Sequence, residues 1–194
     1  MLYNLGKFIF TLIFTFFFKW QIEGIENIPK KGPLIICANH ISWWDPPLVG
    51  CSITRKVHFM AKAELFKYSI FKYILLKVGA FPVQRGKADM SAIKNALRIL
   101  KKGSVLGLFP EGTRSKSGKL QKPEPGVALI ALKSRSYVLP VAIKSNYKLF
   151  SEVKIKIGKP IAFIEYYNKK VNHLILDEIS KKIMEEINKL KSTM

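Results

Sequence analysis

Cysteine, histidine and acidic residues are scarce in this 194-residue chain, which has two Cys, three His and 13 Asp or Glu. Neither a C-x-x-C nor an H-E-x-x-H spacing occurs, so we expect no metal site and no cofactor. Cys37 and Cys51 lie in apolar stretches, which predicts buried free thiols in a reducing compartment instead of a disulfide. No G-x-S-x-G motif occurs either, so a nucleophilic serine of the α/β-hydrolase kind is not evident.

The shortage of acidic residues leaves the chain with a formal net charge of +20. Residues 55–110 alone hold twelve Lys and Arg against two acidic residues, Glu64 and Asp89, which is a net charge of +10. Such a charge predicts an anionic partner, either nucleic acid, an anionic membrane surface, or an acidic or phosphorylated molecule. The apolar content of 48% favours the membrane surface. We expect no nucleic-acid partner, because no module that pairs exposed aromatic residues with basic ones is recognisable.

The N-terminal apolar run is shorter than the roughly 20 residues that a helix needs to cross a bilayer. Residues 8–18 form this run of eleven uncharged residues between Lys7 and Lys19. A signal peptide also has a basic flank and a short apolar core, but no small-residue cleavage site follows here. A buried core helix would carry polar residues on one face, and this segment has almost none. We therefore expect residues 1–20 to be a membrane-anchoring hydrophobic segment in one leaflet, followed by one domain over residues 21–194.

Short apolar stretches with strand character alternate with helical stretches over the rest of the chain. Strands are predicted at residues 20–24, 33–39, 57–60, 80–83, 104–110, 137–143 and 152–158. Helices are predicted to begin at Asp45 and at about residue 171, and to cover residues 62–77, 88–102 and 125–133. This alternation predicts an α/β fold with a single central sheet flanked by helices on both faces.

Lysine patterns add detail to two of these elements. Residues 62–77 are apolar on most sides and have a lysine at every fifth position. They form either a core helix whose lysines reach solvent or a second membrane-touching element. Residues 152–158 alternate apolar residues with lysines, which is typical of an edge strand.

Three polar clusters follow the carboxyl ends of predicted strands, which is where ligand sites form in open α/β sheets. The first cluster, N-H-I-S-W-W-D, places His40 five residues before Asp45. An imidazole held by a carboxylate is fixed in one tautomer and is a better general base. The alternative is a tight strand-to-helix turn in which Asp45 is only the N-cap of a helix that starts with two prolines.

The other two clusters combine positive charge with glycine and glutamate. Arg85 follows one strand, and Glu111, Gly112 and Arg114 follow another. The two arginines could clamp a phosphate, although Arg85 could also be an ordinary surface charge after a strand. Glu111 could accept a hydrogen bond from a substrate hydroxyl, or could pair with Arg114 or shape the turn. With His40, these residues fit a site that binds a phosphorylated alcohol beside a general base.

Four sequence blocks occur in a fixed order: NHISWWD at 39–45, GAFPVQR at 79–85, FPEGTRS at 109–115 and VLPVAI at 138–143. In this order they resemble the glycerolipid acyltransferases, and closely the 1-acylglycerol-3-phosphate (lysophosphatidate) acyltransferases. The resemblance covers about residues 20–160. It implies that His40 is the catalytic base and that Asp45 orients it. The residues that it assigns to binding glycerol phosphate are Arg85, Glu111, Gly112, Thr113 and Arg114.

The resemblance implies transfer of a fatty acyl group from a thioester to the sn-2 hydroxyl of 1-acylglycerol 3-phosphate, which forms phosphatidate. The donor would be an acyl-acyl carrier protein or acyl-coenzyme A, and the enzyme would work at the cytoplasmic face of the cell membrane. Alternatives are acyl transfer to glycerol 3-phosphate or another lysolipid, or a non-catalytic basic peripheral membrane-binding protein. One departure concerns docking: bacterial relatives place a longer two-helix hairpin before the histidine block, so their membrane docking mode cannot be carried over.

Overall fold

Seven strands form one sheet in the computed structural model, which describes residues 1–84, 86 and 89–194. The strands are β1 (Lys19–Glu23), β2 (Leu34–Ala38), β3 (Val57–Lys62), β4 (Phe81–Val83), β5 (Val105–Leu108), β6 (Tyr137–Ser145) and β7 (Glu152–Ile157). Their order across the sheet is β1-β7-β6-β2-β5-β3-β4. Neighbouring strands are parallel except β6 and β7, which are antiparallel.

Six α-helices within the described residues accompany this sheet. They are α1 (Leu2–Phe17), α2 (Asp45–Ser52), α3 (Ser69–Val78), α4 (Met90–Lys101), α5 (Gly126–Ser134) and α6 (His173–Ser192). Helices α4, α5 and α6 pack on one face of the sheet against Ile35 and Cys37 of β2. Helices α1 and α2 pack on the other face against Leu34 and Ile36. The predicted α/β fold with one central sheet and helices on both faces is therefore confirmed.

Helices α4 and α6 begin at side-chain caps and bury regularly spaced residues. The Asp89 carboxylate accepts the N–H of Ala92 at the start of α4, and the Asn172 side chain accepts the N–H of Ile175 at the start of α6. Ala92, Ala96 and Leu100 of α4 are buried, as are Ile179, Ile183 and Ile187 of α6. The four-residue spacing places each set on one helix face, as the sequence pattern predicts.

The prediction of one helix over residues 62–77 is wrong. Strand β3 runs on to Lys62, because its last residues pair with β4, and a 3-10 turn at Ala63–Lys67 precedes α3. None of the residues of α3 is buried, so the interpretation as a core helix is also wrong. Its exposed apolar side chains leave the membrane-touching alternative open.

The prediction that residues 152–158 form an edge strand is wrong as well. Strand β7 lies between β6 and β1, because the N-terminal strand β1 adds to it in parallel. Lys154 and Lys156 are partly exposed, and they form ion pairs with the carboxylates of Glu152 and Glu23, respectively. An alternating lysine pattern therefore marks a strand with one solvated face, wherever that strand sits in the sheet.

Both cysteines are free, as predicted, but their burial differs. Cys37 is fully buried on β2, whereas Cys51 is only half-buried on α2. Burial raises the pKa of the Cys37 thiol well above its usual value, so this thiol stays protonated. In the part of the chain that the structure describes, no helix is both long and apolar enough to cross a membrane.

Candidate active site

The loop after β2 carries His40 and is tied to the neighbouring strand. The side-chain amide of Asn39 donates to the carbonyl of Ile143 at 2.9 Å and accepts the N–H of the same residue at 2.7 Å. This reciprocal pair to β6 fixes the point where the chain leaves the sheet. His40 therefore follows at the carboxyl end of β2, as the sequence predicts.

His40 and Asp45 form a buried, hydrogen-bonded pair. The Nδ1 atom of His40 lies 2.7 Å from Oδ2 of Asp45, and the two residues are 5% and 0% exposed. The same Oδ2 atom accepts the N–H groups of Ile41 at 2.6 Å and Ser42 at 2.7 Å, and Tyr147 donates its hydroxyl to Oδ1 at 2.6 Å. With Nδ1 donating to the carboxylate, Nε2 of His40 is the ring atom that can take up a proton.

Asp45 is the first residue of α2 and not its N-cap, which corrects the capping interpretation. Trp44 occupies the N-cap position, and the Asp45 carboxylate turns back to the loop N–H groups of Ile41 and Ser42. The physical reason is the following Pro46-Pro47 pair, which has no N–H groups for a carboxylate to cap. The two prolines thus leave this aspartate available for the histidine.

The FPEGTRS segment holds the main chain of His40 on both sides. Oε1 of Glu111 accepts the N–H of His40 at 2.8 Å, and the N–H of Ser115 donates to the His40 carbonyl at 2.8 Å. The ring of Phe109 stacks on the imidazole, with 4.1 Å between ring centroids and 20° between planes. These contacts fix both the position and the plane of the ring.

Glu111 is a buried carboxylate with both oxygens in use. Its second oxygen, Oε2, accepts the N–H of Gln121 at 2.9 Å, and the residue is 3% exposed. Burial raises the pKa of the Glu111 carboxyl, and the two N–H donors partly offset this rise. The structure thus gives Glu111 a bracing contact with His40, which the sequence interpretation did not include.

Gly112, Thr113 and Arg114 form an exposed turn next to the histidine. Gly112 has a φ of +67° in the left-handed region, and an added Cβ would meet the Glu124 side chain at 3.0 Å, so glycine suits this turn. The Arg114 guanidinium lies 4.4 Å above the ring of Trp43. The structure therefore brings His40, Asp45, Glu111 and Arg114 together. Arg85, the remaining predicted site residue, lies outside the described residues.

An apolar cavity of about 400 Å³ adjoins the pair, and His40 and Arg114 both line it. Its other walls come from three helices and the sheet, and include Tyr3, Phe10, Cys51, Phe59, Ile74 and Val78. Sequence reasoning missed this cavity because it forms between segments far apart in the chain: α1 was assigned to the membrane, and α3 was assigned either to the core or to the membrane. Among the described residues, no group of three or more His, Cys, Asp or Glu is placed to hold a metal ion.

Comparison with known proteins places this arrangement in a class. A family model described as "Acyltransferase" matches residues 19–144. The 1-acyl-sn-glycerol-3-phosphate acyltransferase of Bacillus subtilis is 32% identical over 179 residues, which cover 88% of this chain and 89% of that protein. The chain therefore belongs to the acyltransferase family, and the resemblance drawn from the four sequence blocks is confirmed.

Two further relatives refine the comparison. The crystal structure of the 1-acyl-sn-glycerophosphate (LPA) acyltransferase PlsC from Thermotoga maritima matches with a TM-score of 0.74 at 29% identity, covering 97% of this chain and 78% of that one. The lyso-ornithine lipid O-acyltransferase of Pseudomonas aeruginosa is 33% identical over 127 residues, which cover 65% of this chain but only 47% of that protein.

Proposed function

We propose that this protein transfers a fatty acyl group from an acyl thioester to the sn-2 hydroxyl of 1-acylglycerol 3-phosphate, forming phosphatidate in phospholipid biosynthesis. The main support is the buried pair of His40 and Asp45 beside an apolar cavity that Arg114 also lines. A general base, a place for hydrocarbon and a cation for phosphate are the three groups that this reaction requires. The names of the similar proteins from Bacillus subtilis and Thermotoga maritima agree with this assignment.

In the proposed reaction His40 acts as general base and Asp45 as the residue that orients it. Nε2 of His40 takes the proton of the sn-2 hydroxyl, and the resulting oxygen nucleophile attacks the thioester carbonyl carbon. The tetrahedral intermediate then breaks its C–S bond, so that a C–O ester bond replaces the thioester. The proton on His40 passes to the leaving thiolate, whose thiol has a pKa of about 8.5 and therefore leaves readily.

The cavity suits the hydrocarbon part of a substrate. Its volume of about 400 Å³ falls in the range of roughly 300–1,000 Å³ that is usual for small-molecule sites. Its walls are mostly apolar, and His40 lies among them, so a chain bound there would hold its reacting end near Nε2. Burial of CH₂ groups in such a cavity contributes about 0.8 kcal/mol each to binding.

Arg114 is the described residue best placed for the phosphate of the acceptor. Its guanidinium carbon lies 4.4 Å from the centroid of the Trp43 ring, a cation–π contact that holds the charged group beside the cavity while its N–H groups can still donate to phosphate oxygens. Gly112 and Thr113 precede it in the same exposed turn, where main-chain N–H groups could add to the site. We keep Arg85 as a predicted second clamp, from its place in the sequence block GAFPVQR.

An acyl-transfer assay with several acceptors tests this proposal. The enzyme in lipid vesicles is given acyl-acyl carrier protein or acyl-coenzyme A together with 1-acylglycerol 3-phosphate, glycerol 3-phosphate or lyso-ornithine lipid. We expect the highest kcat/KM with 1-acylglycerol 3-phosphate and no product from the His40→Ala variant. A preference for lyso-ornithine lipid, which has no phosphate, would contradict both the acceptor and the role of Arg114. Comparison of the two donors also identifies the thioester that the enzyme uses.

We also propose that helices α1 and α3 dock on an anionic membrane at the cytoplasmic face of the cell membrane. Together with the loop after β6 they expose many large apolar side chains, named here the apolar face: Leu5, Phe8, Ile9, Phe16, Phe17, Ile70, Phe71, Tyr73, Ile74, Leu76, Leu149 and Phe150. The helices contact each other, and the N–H of Phe150 donates to the carbonyl of Phe17. Soluble monomers rarely expose an apolar surface of this kind. The chain's net charge of +20 adds attraction to anionic headgroups.

The packing of α1 supports insertion into one leaflet only. Phe14 is fully buried and packs against Trp20 and Trp44, and Nζ of Lys7 donates to the carbonyl of Ile53 at 2.5 Å. A helix held along the domain by one side offers only its other side to lipid. Its 16 residues also extend over about 24 Å, against a hydrocarbon core of about 30 Å.

A further inference from the structure

The loop that follows β6 reaches back to the carboxylate of Asp45. Tyr147 donates its hydroxyl hydrogen to Oδ1 of Asp45, with 2.6 Å between the oxygens. The other oxygen, Oδ2, is occupied by Nδ1 of His40 and by the N–H groups of Ile41 and Ser42. Asp45 is completely buried. Among the described residues, Tyr147 is the only side-chain donor to Oδ1.

We infer that Tyr147 is a positioning residue for the reaction, and that it acts on His40 through Asp45. This inference rests on the proposed roles of those two residues. A carboxylate bonded through one oxygen can rotate about its Cβ–Cγ bond, and rotation would move Oδ2 away from Nδ1 of the imidazole. A donor on Oδ1 fixes the carboxylate plane and so keeps the ring in its reactive orientation.

The backbone of the loop is shaped so that the tyrosine points inward. Tyr147 has a φ of +49°, in the left-handed region that a bulky side chain rarely adopts. Its N–H donates to the Ser145 hydroxyl at 2.9 Å, and its ring packs edge-on against Phe18 with 6.2 Å between centroids. These contacts maintain an unfavourable backbone conformation. The retained conformation supports a requirement for the tyrosine side chain at this position.

The chemistry of the pair agrees with a permanent donor. Burial, and secondarily the negative charge of Asp45, raise the pKa of the Tyr147 hydroxyl far above its usual value of about 10. The hydroxyl therefore keeps its proton at every pH at which the enzyme works. Sequence reasoning did not find this residue, since Tyr147 lies 102 positions from Asp45 and belongs to none of the four blocks.

The test is the Tyr147→Phe variant, which keeps the ring and removes only the hydroxyl. We expect kcat to fall about tenfold, as expected for loss of a hydrogen bond to a charged group, while KM for donor and acceptor changes less than about twofold. Tyr166→Phe is the matched control, because the Tyr166 hydroxyl donates to Oε1 of Glu178 at 2.5 Å on the opposite face of the sheet. That control should leave kcat unchanged.

A double-variant cycle separates positioning from a general structural effect. With Asp45→Asn in place no charged carboxylate remains to be held, so adding Tyr147→Phe should change kcat less than about twofold. Wild-type kcat in Tyr147→Phe, or an equal loss of kcat in both backgrounds, would overturn the inference. Asp45→Asn measured alone tests the proposed pair itself. If that variant keeps the wild-type rate, the roles of His40 and Asp45 fail first and the inference fails with them.

Discussion

The two faces of the central sheet are covered in different ways, although the same strands supply both. On one face α4, α5 and α6 cover a core that includes Ala128 and Ile183, both fully buried. The solvent-exposed side of α6 carries ion pairs such as Asp177–Lys181. On the other face α1, α2 and α3 enclose a cavity, and α1 and α3 also expose apolar side chains. We call these the closed face and the open face.

This difference indicates that the closed face contributes mainly to stability and the open face mainly to function. A closed, well-packed face contributes burial of apolar surface and needs no opening. The open face also buries apolar residues, but its cavity and exposed helices are the features that a lipid substrate requires. His40 and Asp45 lie on the open side, where Phe109 and Trp44 join the core that α1 and α2 cover. Variants on the two faces should therefore change different measurable properties.

The largest expected effect is that of His40→Ala on the open side. This change should reduce kcat/KM to less than about one per cent of the wild-type value, because it removes the proposed acceptor of the hydroxyl proton. Asp45→Asn should lower kcat by about three orders of magnitude with little change in acceptor KM, since the imidazole would lose its charged partner. Initial rates in vesicles and circular dichroism measure activity and fold separately. A His40→Ala enzyme that keeps more than a few per cent of the rate would show that His40 is not the general base.

The next effect in size concerns Arg114, at the mouth of the cavity. Arg114→Ala should raise KM for 1-acylglycerol 3-phosphate by roughly 30- to 150-fold, which corresponds to loss of about 2 to 3 kcal/mol from a charge-assisted contact with phosphate. KM for the acyl donor should stay within about twofold of the wild-type value. Arg114→Lys should restore only part of the loss if the planar guanidinium is required.

Arg135 offers a matched control for this prediction. It is also exposed and makes a cation–π contact, with the ring of Tyr167, but it precedes β6 and so lies at the amino ends of the parallel strands, whereas His40 and Arg114 follow the carboxyl ends. Arg135→Ala should leave both KM values unchanged. Equal losses of donor and acceptor affinity in Arg114→Ala would indicate a structural role for Arg114 instead of a phosphate contact.

A smaller effect is expected from changes to the apolar face. The double variant Ile70→Glu and Phe71→Glu should weaken binding to vesicles that contain phosphatidylglycerol by at least about tenfold, because two apolar contacts are lost and negative charge is added. Both side chains are exposed and neither lines the cavity, so activity on detergent-dispersed substrate should remain. Vesicle flotation measures the binding.

The control for membrane docking lies on α6. Leu174 is 80% exposed, and Leu174→Glu should leave flotation unchanged, since α6 belongs to the closed face. A Leu2→Cys substitution adds a test of depth: a membrane-impermeant thiol reagent should label it only from the cytoplasmic side. Labelling from the opposite side of intact vesicles would rule out the one-leaflet proposal.

Local sequence signals were sufficient for the closed face and for the centre of the site. Helix α4 was predicted within two residues at each end, because its apolar spacing and its end can be recognised within one short stretch of sequence. His40 and Asp45 were paired from sequence for the same reason, since only five positions separate them. Contacts between near neighbours leave a pattern that a single sequence can show.

Contacts between distant segments left no such pattern. The position of β7 inside the sheet depends on β1, which comes from the other end of the chain. The end of β3 depends on its pairing with β4. This pairing places residue 62 in the strand instead of in the helix predicted over residues 62–77. Tyr147 and the cavity walls are likewise brought together by the folded chain alone. The open face is made mostly of such contacts, which is why sequence reasoning described it less well.

The smallest expected effect on catalysis comes from a matched pair of isoleucines, one on each face. Ile183→Ala on the closed face should lower the free energy of unfolding by about 2 to 5 kcal/mol, because Ile183 is fully buried and its removal leaves a void. Ile74→Ala on the open face should cost only about 1 kcal/mol, since Ile74 is 44% exposed and lines a cavity that already exists. Urea unfolding in detergent solution gives both values, and kcat measured well below the unfolding midpoint should be unchanged in Ile183→Ala. Equal stability losses in the two variants would mean that the open face is packed as tightly as the closed one, and the proposed division between the faces would then be wrong.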